Sequence, residues 1–396
     1  MSRLMFSRYR CFQEAQALRL GKLNLLYGTN GAGKSAVLRL PALLAGSMRG
    51  APSLNLAHPA VAGGGFNGLI WHGDGGGDPL MLGLELVPGG SFRWELTWSE
   101  AFNQPVITAM EGPWRGPSQR LEWRSDRGQR DLKAQYFEDT PGRSGREILR
   151  FHGLIARRDH AASEPESPLT AFEAKVSWLT AKRVGPSRAG VSEGAFPPSD
   201  PTGAAWSEAL LAPATVAFSS VSKWYEDHCQ RALTQRTLDQ ARRLSLRKMS
   251  QAAPDIPFPD EGLGLQQVFP VLVGLERLRE EGGLLCIEEP EAHLHPQLQR
   301  ALADRIAEVL VENDQAQVLL ETHSEVFLNA ALLHAITDLR GAVRLHWVAQ
   351  GDGGCRVREV QLDDEGRPQD DTLRAAYEVV NGQRREILSA RRENAR

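Results

Sequence analysis

Four cysteines, at positions 11, 229, 286 and 355, are all that 396 residues contain, and no two stand as a CxxC pair. That spacing argues against a disulfide framework and against a zinc ribbon, and it suits a reducing compartment. Long apolar runs are also missing: nothing approaches the roughly 18 residues of a spanning helix. The opening MSRLMFSRYRCF lacks the apolar stretch of a secretory leader. A cytoplasmic protein with no membrane contact is therefore expected. Charge of one sign is absent too, since 46 Lys and Arg stand against 49 Asp and Glu for a net charge of −3. No global positive excess points to nucleic acid, which leaves only local basic surfaces. Internal repeats and low-complexity tracts are absent. The length is enough for two to three domain-sized units with a sizeable core.

Patterning then sets expectations for the elements. RLMFSRYRCF reads as a strand, and LRLGKLNLLYG as a second strand ending in glycine. SAVLRLPALLAG reads as a helix that Pro41 kinks or ends. LMLGLELVPGGSFRWELTW reads as a hairpin about Pro88, Gly89 and Gly90. Residues 111 to 165 are rich in arginine, as a solvated surface or a surface for nucleic acid or a partner. A loop or linker is expected between Gly185 and Pro201. QRALTQRTLDQARRLSLRKMS, Gln230 to Ser250, reads as a basic amphipathic helix. A helix over LQQVFPVLVGLERLREEG, the strand LLCIEE, a helix over QLQRALADRIAEVLVEN and the strand QVLLETHS follow. AVRLHWVAQ and CRVREVQLDDEGR close the pattern as strands, with a turn at Glu365-Gly366, and a charged helix ends the chain. Strands alternating with helices in the first and last thirds indicate an α/β core built from sequence-distant halves. The expected division is 1–110, an N-terminal lobe with a β subdomain; 111–259, a helical or irregular arginine-rich insertion; 260–350, a C-terminal lobe; and 351–396, a closing hairpin and helix.

LLCIEEPEAHLHP, Leu284 to Pro296, sets three glutamates and two histidines behind an apolar strand, which alone suggests zinc or iron. GTNGAGKS, Gly28 to Ser35, changes that reading. It fits G-x-x-x-x-G-K-[ST] between an expected strand and an expected helix. Gly28, Asn30, Gly31, Ala32, Gly33 and Ala36 would bring backbone to the phosphates of ATP. Lys34 would contact the β- and γ-phosphates, and the Ser35 hydroxyl would ligate Mg²⁺. The helix N-terminus adds favourable partial charge. A strand ending in two acids then supplies the remainder: Glu288 to hold Mg²⁺ through its water shell, and Glu289 to orient or deprotonate the attacking water. His323, in ETHS at the end of the next strand, could reach the γ-phosphate.

In that order, GTNGAGKS, LLCIEEPEAHLHP and LLETHS resemble the ABC-class, AAA-like ATPases of the RecF, SMC and OLD branch. IEEPEAHLHP is especially similar to the stand-alone prokaryotic members that include OLD proteins. AKRVGPSR, Ala181 to Arg188, resembles a Gly-Pro-x-Arg element of these ATPases. The resemblance covers roughly residues 1–80 and 260–350. It implies a P-loop fold of ABC-ATPase type: a mixed central sheet, an antiparallel β subdomain and a helical or irregular insertion. It also implies a head that dimerises around two ATP molecules, each site completed by a signature segment of the other protomer. DEGLGLQQVFPVL is the local match to that segment, with Gln266 where the family has serine; a glutamine amide can still donate to the γ-phosphate. The resemblance puts His293 and His295, with Glu291, in a loop facing the second protomer.

No acidic constellation after Asp364 reads as a Toprim nuclease; Asp363, Asp364, Asp370 and Asp371 flank a turn. If nucleic acid is cut, a separate subunit is expected to do it. The leading expectation is a Mg²⁺-dependent ATPase whose ATP-driven homodimerisation controls a DNA-related process, genome defence or repair, with a separate effector such as a nuclease or toxin. DNA would contact the arginine-rich middle and the Gln230–Ser250 segment. The alternative is a slow ATP-gated scaffold that recruits or restrains a toxic effector. A transporter ATPase is disfavoured by the absence of a clear LSGGQ.

Overall fold

A computed structural model describes residues 1–50, 53–71, 78–113, 119–123, 136–138, 149–158, 167–187, 200–206, 216–238, 241–250, 254–363, 365–369, 371–373 and 385–386. The N-terminal elements are β1 (Arg3–Ser7), β2 (Gln16–Arg19), β3 (Leu23–Gly28) and α1 (Lys34–Ala45). Next come β4 (Leu80–Leu86), β5 (Gly90–Ser99), β6 (Gln104–Gly112), β7 (Gln119–Trp123), β8 (Tyr136–Glu138), β9 (Leu149–His152) and β10 (Ile155–Arg158). The middle holds α2 (Pro168–Ala174), β11 (Val176–Leu179), α3 (Val216–Cys229), β12 (Arg231–Leu238), β13 (Ala241–Lys248) and β14 (Asp255–Pro257). The last third holds α4 (Leu263–Glu281), β15 (Gly283–Glu288), α5 (Pro296–Glu312), β16 (Ala316–Glu321), α6 (Glu325–Ile336), β17 (Val343–Gly351) and β18 (Gly354–Val360).

Two large sheets face each other across α1. The antiparallel sheet has the order β2-β1-β4-β5-β6-β7-β8, and the central sheet β11-β15-β16-β3-β17-β18. In the central sheet every pairing is parallel except that of β17 with β18. Parallel strands covered on both faces read as continuous apolar runs, and β15 explains why. Leu284 and Cys286 enter the core with α1 and the antiparallel sheet, whereas Leu285 and Ile287 enter the core with α3, α4, α5 and α6. Each fully buried leucine contributes about 1.5–3 kcal/mol, so both faces resist polar substitution.

The fold is the expected mixed α/β arrangement with an antiparallel subdomain and an insertion. Its details correct three expectations and narrow a fourth. LRLGKLNLLYG is not one strand: it ends β2 and then begins β3, in different sheets. Gly21 makes the break, because a Cβ there would lie 2.2 Å from the Ala342 carbonyl oxygen, while the Asn24 side chain accepts from the Gly21 N–H at 2.7 Å. RLMFSRYRCF keeps its strand only to Ser7, and Arg8 and Arg10 turn to φ 52°. Pro41 does not end α1, which continues to Ala45 with Leu40, Leu43 and Leu44 fully buried; that packing offsets the missing hydrogen bond.

Gln230–Ser250 is not a helix but the antiparallel hairpin β12–β13. Leu233, Leu244 and Leu246 go inward against Val221, Trp224 and Tyr225 of α3. Arg236 and Arg243 pair on the opposite face, with exposed Arg247 four residues along. Period-two alternation and an apolar bed from α3 prevail over helix propensity. Of the span 111–259, β7 and β8 extend the antiparallel sheet and β11 joins the central one. Most of the arginine cluster at 111–165, most of the linker at 185–201 and most of the C-terminal helix lie outside the described residues. No described helix is long and apolar enough to cross a membrane.

Candidate nucleotide site

The C-terminal ends of β3, β15 and β16 form one edge of the central sheet, and every motif residue singled out for chemistry emerges there except Gln266. The loop from β3 to α1 requires its glycines. Gly28 has φ 146°, and a Cβ on it would meet the Val348 carbonyl oxygen at 2.0 Å. Gly33 has φ 93°, and a Cβ would meet Cys11 Sγ at 2.4 Å and the Phe12 ring at 2.8 Å. Only glycine fits either position. The loop tip, Asn30 and Gly31, is exposed and Ala32 is buried beneath it. Gly33 N-caps α1 without a side chain, so the first-turn amides of Lys34, Ser35 and Ala36 precede the helical ladder, at the end suited to an anion.

Lys34 is only 3% exposed and donates to the carbonyls of Thr29 at 2.8 Å and Gly28 at 3.2 Å. Burial lowers its pKa, while Glu321 and Glu289 act in the opposite sense. Ser35 stands beside Glu321. Glu321, at the end of β16, is a residue the sequence reading missed. Burial pushes its carboxyl up to about 7, against Ser35 and the Lys34 charge. An acid closing an apolar strand, as Glu288 closes β15, was the available signal.

Glu288 and Glu321 are register partners across β15 and β16. Glu288 faces protein donors on both oxygens. Arg39 Nε binds Oε1 and its Nη2 binds Oε2 at 2.9 Å. Trp178 Nε1 reaches Oε1 at 3.1 Å, and Thr180 Oγ1 and the Ala181 amide reach Oε2 at 3.2 and 3.3 Å. Glu288, the residue expected to hold Mg²⁺ through its water shell, thus has both oxygens on protein donors.

Glu289 follows at φ 42°, a left-handed conformation unusual for a residue with a side chain. Its N–H donates to the Glu321 carbonyl at 2.8 Å. Arg183 holds the turn from behind. Its guanidinium donates to the carbonyls of Glu288, Glu289 (2.9 Å), Thr180 (3.1 Å) and Gln267 (3.1 Å). Burial lowers the Arg183 pKa to about 10, opposed by Glu291, Glu288 and Glu289, so it stays charged at neutral pH.

Glu291 turns inward: its Oε1 accepts from the His323 N–H at 2.8 Å. Burial raises its pKa, against hydrogen bonds from His323 and Thr322. His323 is thus fixed by its backbone, and its imidazole is exposed. Partial burial and then Lys34 lower its pKa, with Glu289 opposing. His293 and His295 are exposed, and His295 caps α5 by accepting from the Gln297 amide. Gln266, in the first turns of α4, donates to its own loop at the Glu261 carbonyl, 2.7 Å away. Cys286 is buried in β15, as a small apolar residue would be.

These residues fit Mg²⁺ and a nucleotide. The backbone cradle admits no Cβ at Gly28 or Gly33, Lys34 rests on carbonyls that phosphate oxygens can replace, and Glu321 Oε2 is buried without a hydrogen-bond partner. Among the described residues, no group of three or more His, Cys, Asp or Glu side chains is placed to hold an ion by itself.

Residues 224–329 match the family described as "AAA domain, putative AbiEii toxin, Type IV TA system". That segment carries Glu288, Glu289 and His323 but not the phosphate loop. Over 90 residues the chain is 34% identical to an OLD nuclease of Thermus scotoductus; the match is 22% of this chain and 17% of that protein's length. Among solved structures, the SMC head domain from Thermotoga maritima aligns with 91% of this chain and 99% of its own, at 12% identity and TM-score 0.43. An Smc head with an extended coiled coil, bound to the C-terminal domain of ScpA and derived from Pyrococcus furiosus, aligns with 97% and 99% at 9% identity and TM-score 0.48. With its glycine-rich loop between β3 and α1 and the acids at the end of β15, two strands away, the chain has a P-loop fold of ABC-ATPase type, and part of its last half is similar to AAA and OLD-like ATPases.

Proposed function

We propose that this chain is a cytoplasmic Mg²⁺-dependent ATPase of the RecF, SMC and OLD branch that closes as a homodimer around ATP. It acts with a separate effector, such as a nuclease or toxin, in a DNA-related process of genome defence or repair. The observation that carries the reading is the convergence of Lys34, Ser35, Glu289, Glu321 and His323 at one sheet edge. Backbone of Gly28 to Gly33 would enclose the phosphates, and Lys34 would exchange its two carbonyls for phosphate oxygens. Glu289 would orient or deprotonate the attacking water, and His323 would donate toward the terminal phosphate. Mg²⁺ would supply charge neutralisation on the phosphate oxygens. The defence setting and the effector are supported by the toxin–antitoxin family matched over 224–329 and by the OLD nuclease relative. The basic outer face of the β12–β13 hairpin, with Arg236, Arg243 and Arg247, is the DNA-facing surface within the described residues.

A second reading, a slow ATP-gated scaffold, is favoured by Gln266. Its amide is held by Glu261, so a cross-protomer contact to phosphate requires that bond to be given up. Phosphate release measured beside nucleotide binding and sedimentation separates the two. Wild type should bind Mg·ATP, dimerise and release phosphate; Lys34→Ala should bind no nucleotide. A tight ATP-dependent dimer with negligible release selects the scaffold, and absence of ATP binding by wild type sinks both.

A further inference from the structure

At the end of the central sheet remote from the phosphate loop, the two large sheets part around a cavity of about 740 Å³. The residues that begin the parallel strands fix its place: Lys22 before β3, Gly283 and Leu284 on β15, and Gln317 on β16. The phosphate loop follows Gly28, at the other end of β3. Six residues of strand put about 20 Å between the two. The floor is apolar, for Leu20, Phe172, Val176 and Leu284 line it and all are buried. One wall stands where the β4–β5 turn meets α2. Gly89, at φ 146°, permits that approach, since a Cβ on it would lie 3.1 Å from Pro168. Val87 of the same turn lines the cavity and is 74% exposed.

The volume is that of a small-molecule site, and the backbone around it is already committed. The N–H groups of Leu20, Lys22, Lys175, Gly283 and Leu284 donate to the carbonyls of Ser2, Ala342, Phe172, Gln315 and Lys175 in turn, and that of Gly21 donates to the Asn24 side chain. An extended peptide would find no ladder to join among them. The charged side chains that line the cavity are Lys22, Lys175 and Asp314. Lys22 binds Asp314 at 2.6 Å, so those two charges cancel. Lys175 is exposed, and its described partner is the neutral amide of Gln315 at 3.3 Å. An apolar floor with one uncompensated ammonium at its rim suits a ligand with an apolar body and an anionic head. We infer that this cavity takes a free single-chain amphiphile with a carboxylate head, a fatty acid, its tail on the floor and its carboxylate at Lys175. The site stands apart from the nucleotide and does not depend on the ATPase reading.

The test uses the full chain and dodecanoate, kept below its micelle-forming concentration and titrated by calorimetry. Decanoate, dodecylammonium and a peptide of alternating leucine and glutamate are titrated beside it. Wild type should show one saturable dodecanoate site, and decanoate, shorter by two methylenes, should bind about tenfold more weakly. Ala171→Trp, at an exposed lining position of α2, should fill the cavity and abolish uptake while the melting temperature is kept. Lys175→Glu should weaken dodecanoate by about fivefold and strengthen dodecylammonium. Lys34→Ala should take up dodecanoate as wild type does, so a failure of ATP binding leaves this result standing. No saturable uptake by wild type, uptake that Ala171→Trp leaves intact, or equal uptake of dodecylammonium by wild type overturns the inference. So does binding of the peptide without dodecanoate, which would give the cavity to a protein segment. A dimer that Ala171→Trp dissolves, in a protein that takes up no dodecanoate, would give it to a second copy and overturn the inference likewise.

Discussion

Arg183 gives its whole guanidinium to backbone oxygens, four carbonyls from three segments of chain. A planar fork can do this and an ammonium cannot. Arg183→Lys should keep the charge but lose the simultaneous hold on Glu288, Glu289 and Gln267. Arg183→Ala leaves buried carbonyls without donors and should cost about 3 kcal/mol. Denaturant titration measures that cost, and a cost under half of it would mean that the turn does not depend on this side chain. His346 offers a second residue-scale expectation. It is 1% exposed, and burial lowers its pKa from 6.5 to about 4. The unfolded state binds the proton first, so stability present above pH 6.5 is lost as pH falls toward 4. At pH 5 the loss attributable to His346 is about 2 kcal/mol. His346→Leu should flatten the stability profile between pH 7 and pH 5; an unchanged slope would exclude it as the source.

At the scale of elements, Glu276 ties three helices together. Its carboxylate on α4 accepts from Ser220 of α3 at 2.8 Å and pairs with Arg305 of α5, with Arg279 Nη2 at 2.8 Å. Glu276 is 2% exposed, and its removal takes one carboxylate from Arg305 and Arg279, which keep Glu308 and Glu312. Glu276→Ala should destabilise by about 1–3 kcal/mol, read as a shift in the unfolding midpoint; a Glu276→Met protein of wild-type stability would show that packing, and not charge, joins these helices.

The elements also show what a sequence can disclose. β15, α5 and β16 were legible because a two-faced parallel strand is a continuous apolar run and an amphipathic helix repeats every 3.6 residues. The β12–β13 hairpin was not, since Leu233, Leu244 and Leu246 suit either period until α3 is there to receive them. The same division runs through the site. Lys34, Ser35, Glu289 and His323 belong to local motifs and could be named from the string. Arg39 and Arg183 take their surroundings from register between strands and helices far apart in the chain, so their residue types alone carried no message, and Glu321 offered only the sign of an acid closing an apolar strand.

For the whole molecule, the proposed cycle requires two copies. Glu289→Gln keeps the fold and the phosphate loop but removes the base, so ATP should hold the dimer without turnover. Light scattering should show a persistent ATP-dependent dimer, and wild-type phosphate release by this variant would move the base elsewhere. Charge reversal at Arg243 and Arg247 probes the other proposed contact. If the hairpin meets DNA, the double variant should bind more weakly and with a salt dependence shallower by about two; an unaltered slope in fluorescence-anisotropy titrations would remove the hairpin from that surface.

The sheet order has one more consequence, for the order in which the site comes into being. β3, which bears the phosphate loop, has as its neighbours β16 and β17: Leu23 pairs with both Val318 and Val343. A ribosome adding roughly 5–20 residues per second therefore releases the loop many seconds before either flank exists. Until then the nascent chain carries an apolar strand with two open edges. Nucleotide binding must appear late and at once, when the last third arrives, and a chain cut short before Val343 should hold no ATP however intact its GTNGAGKS.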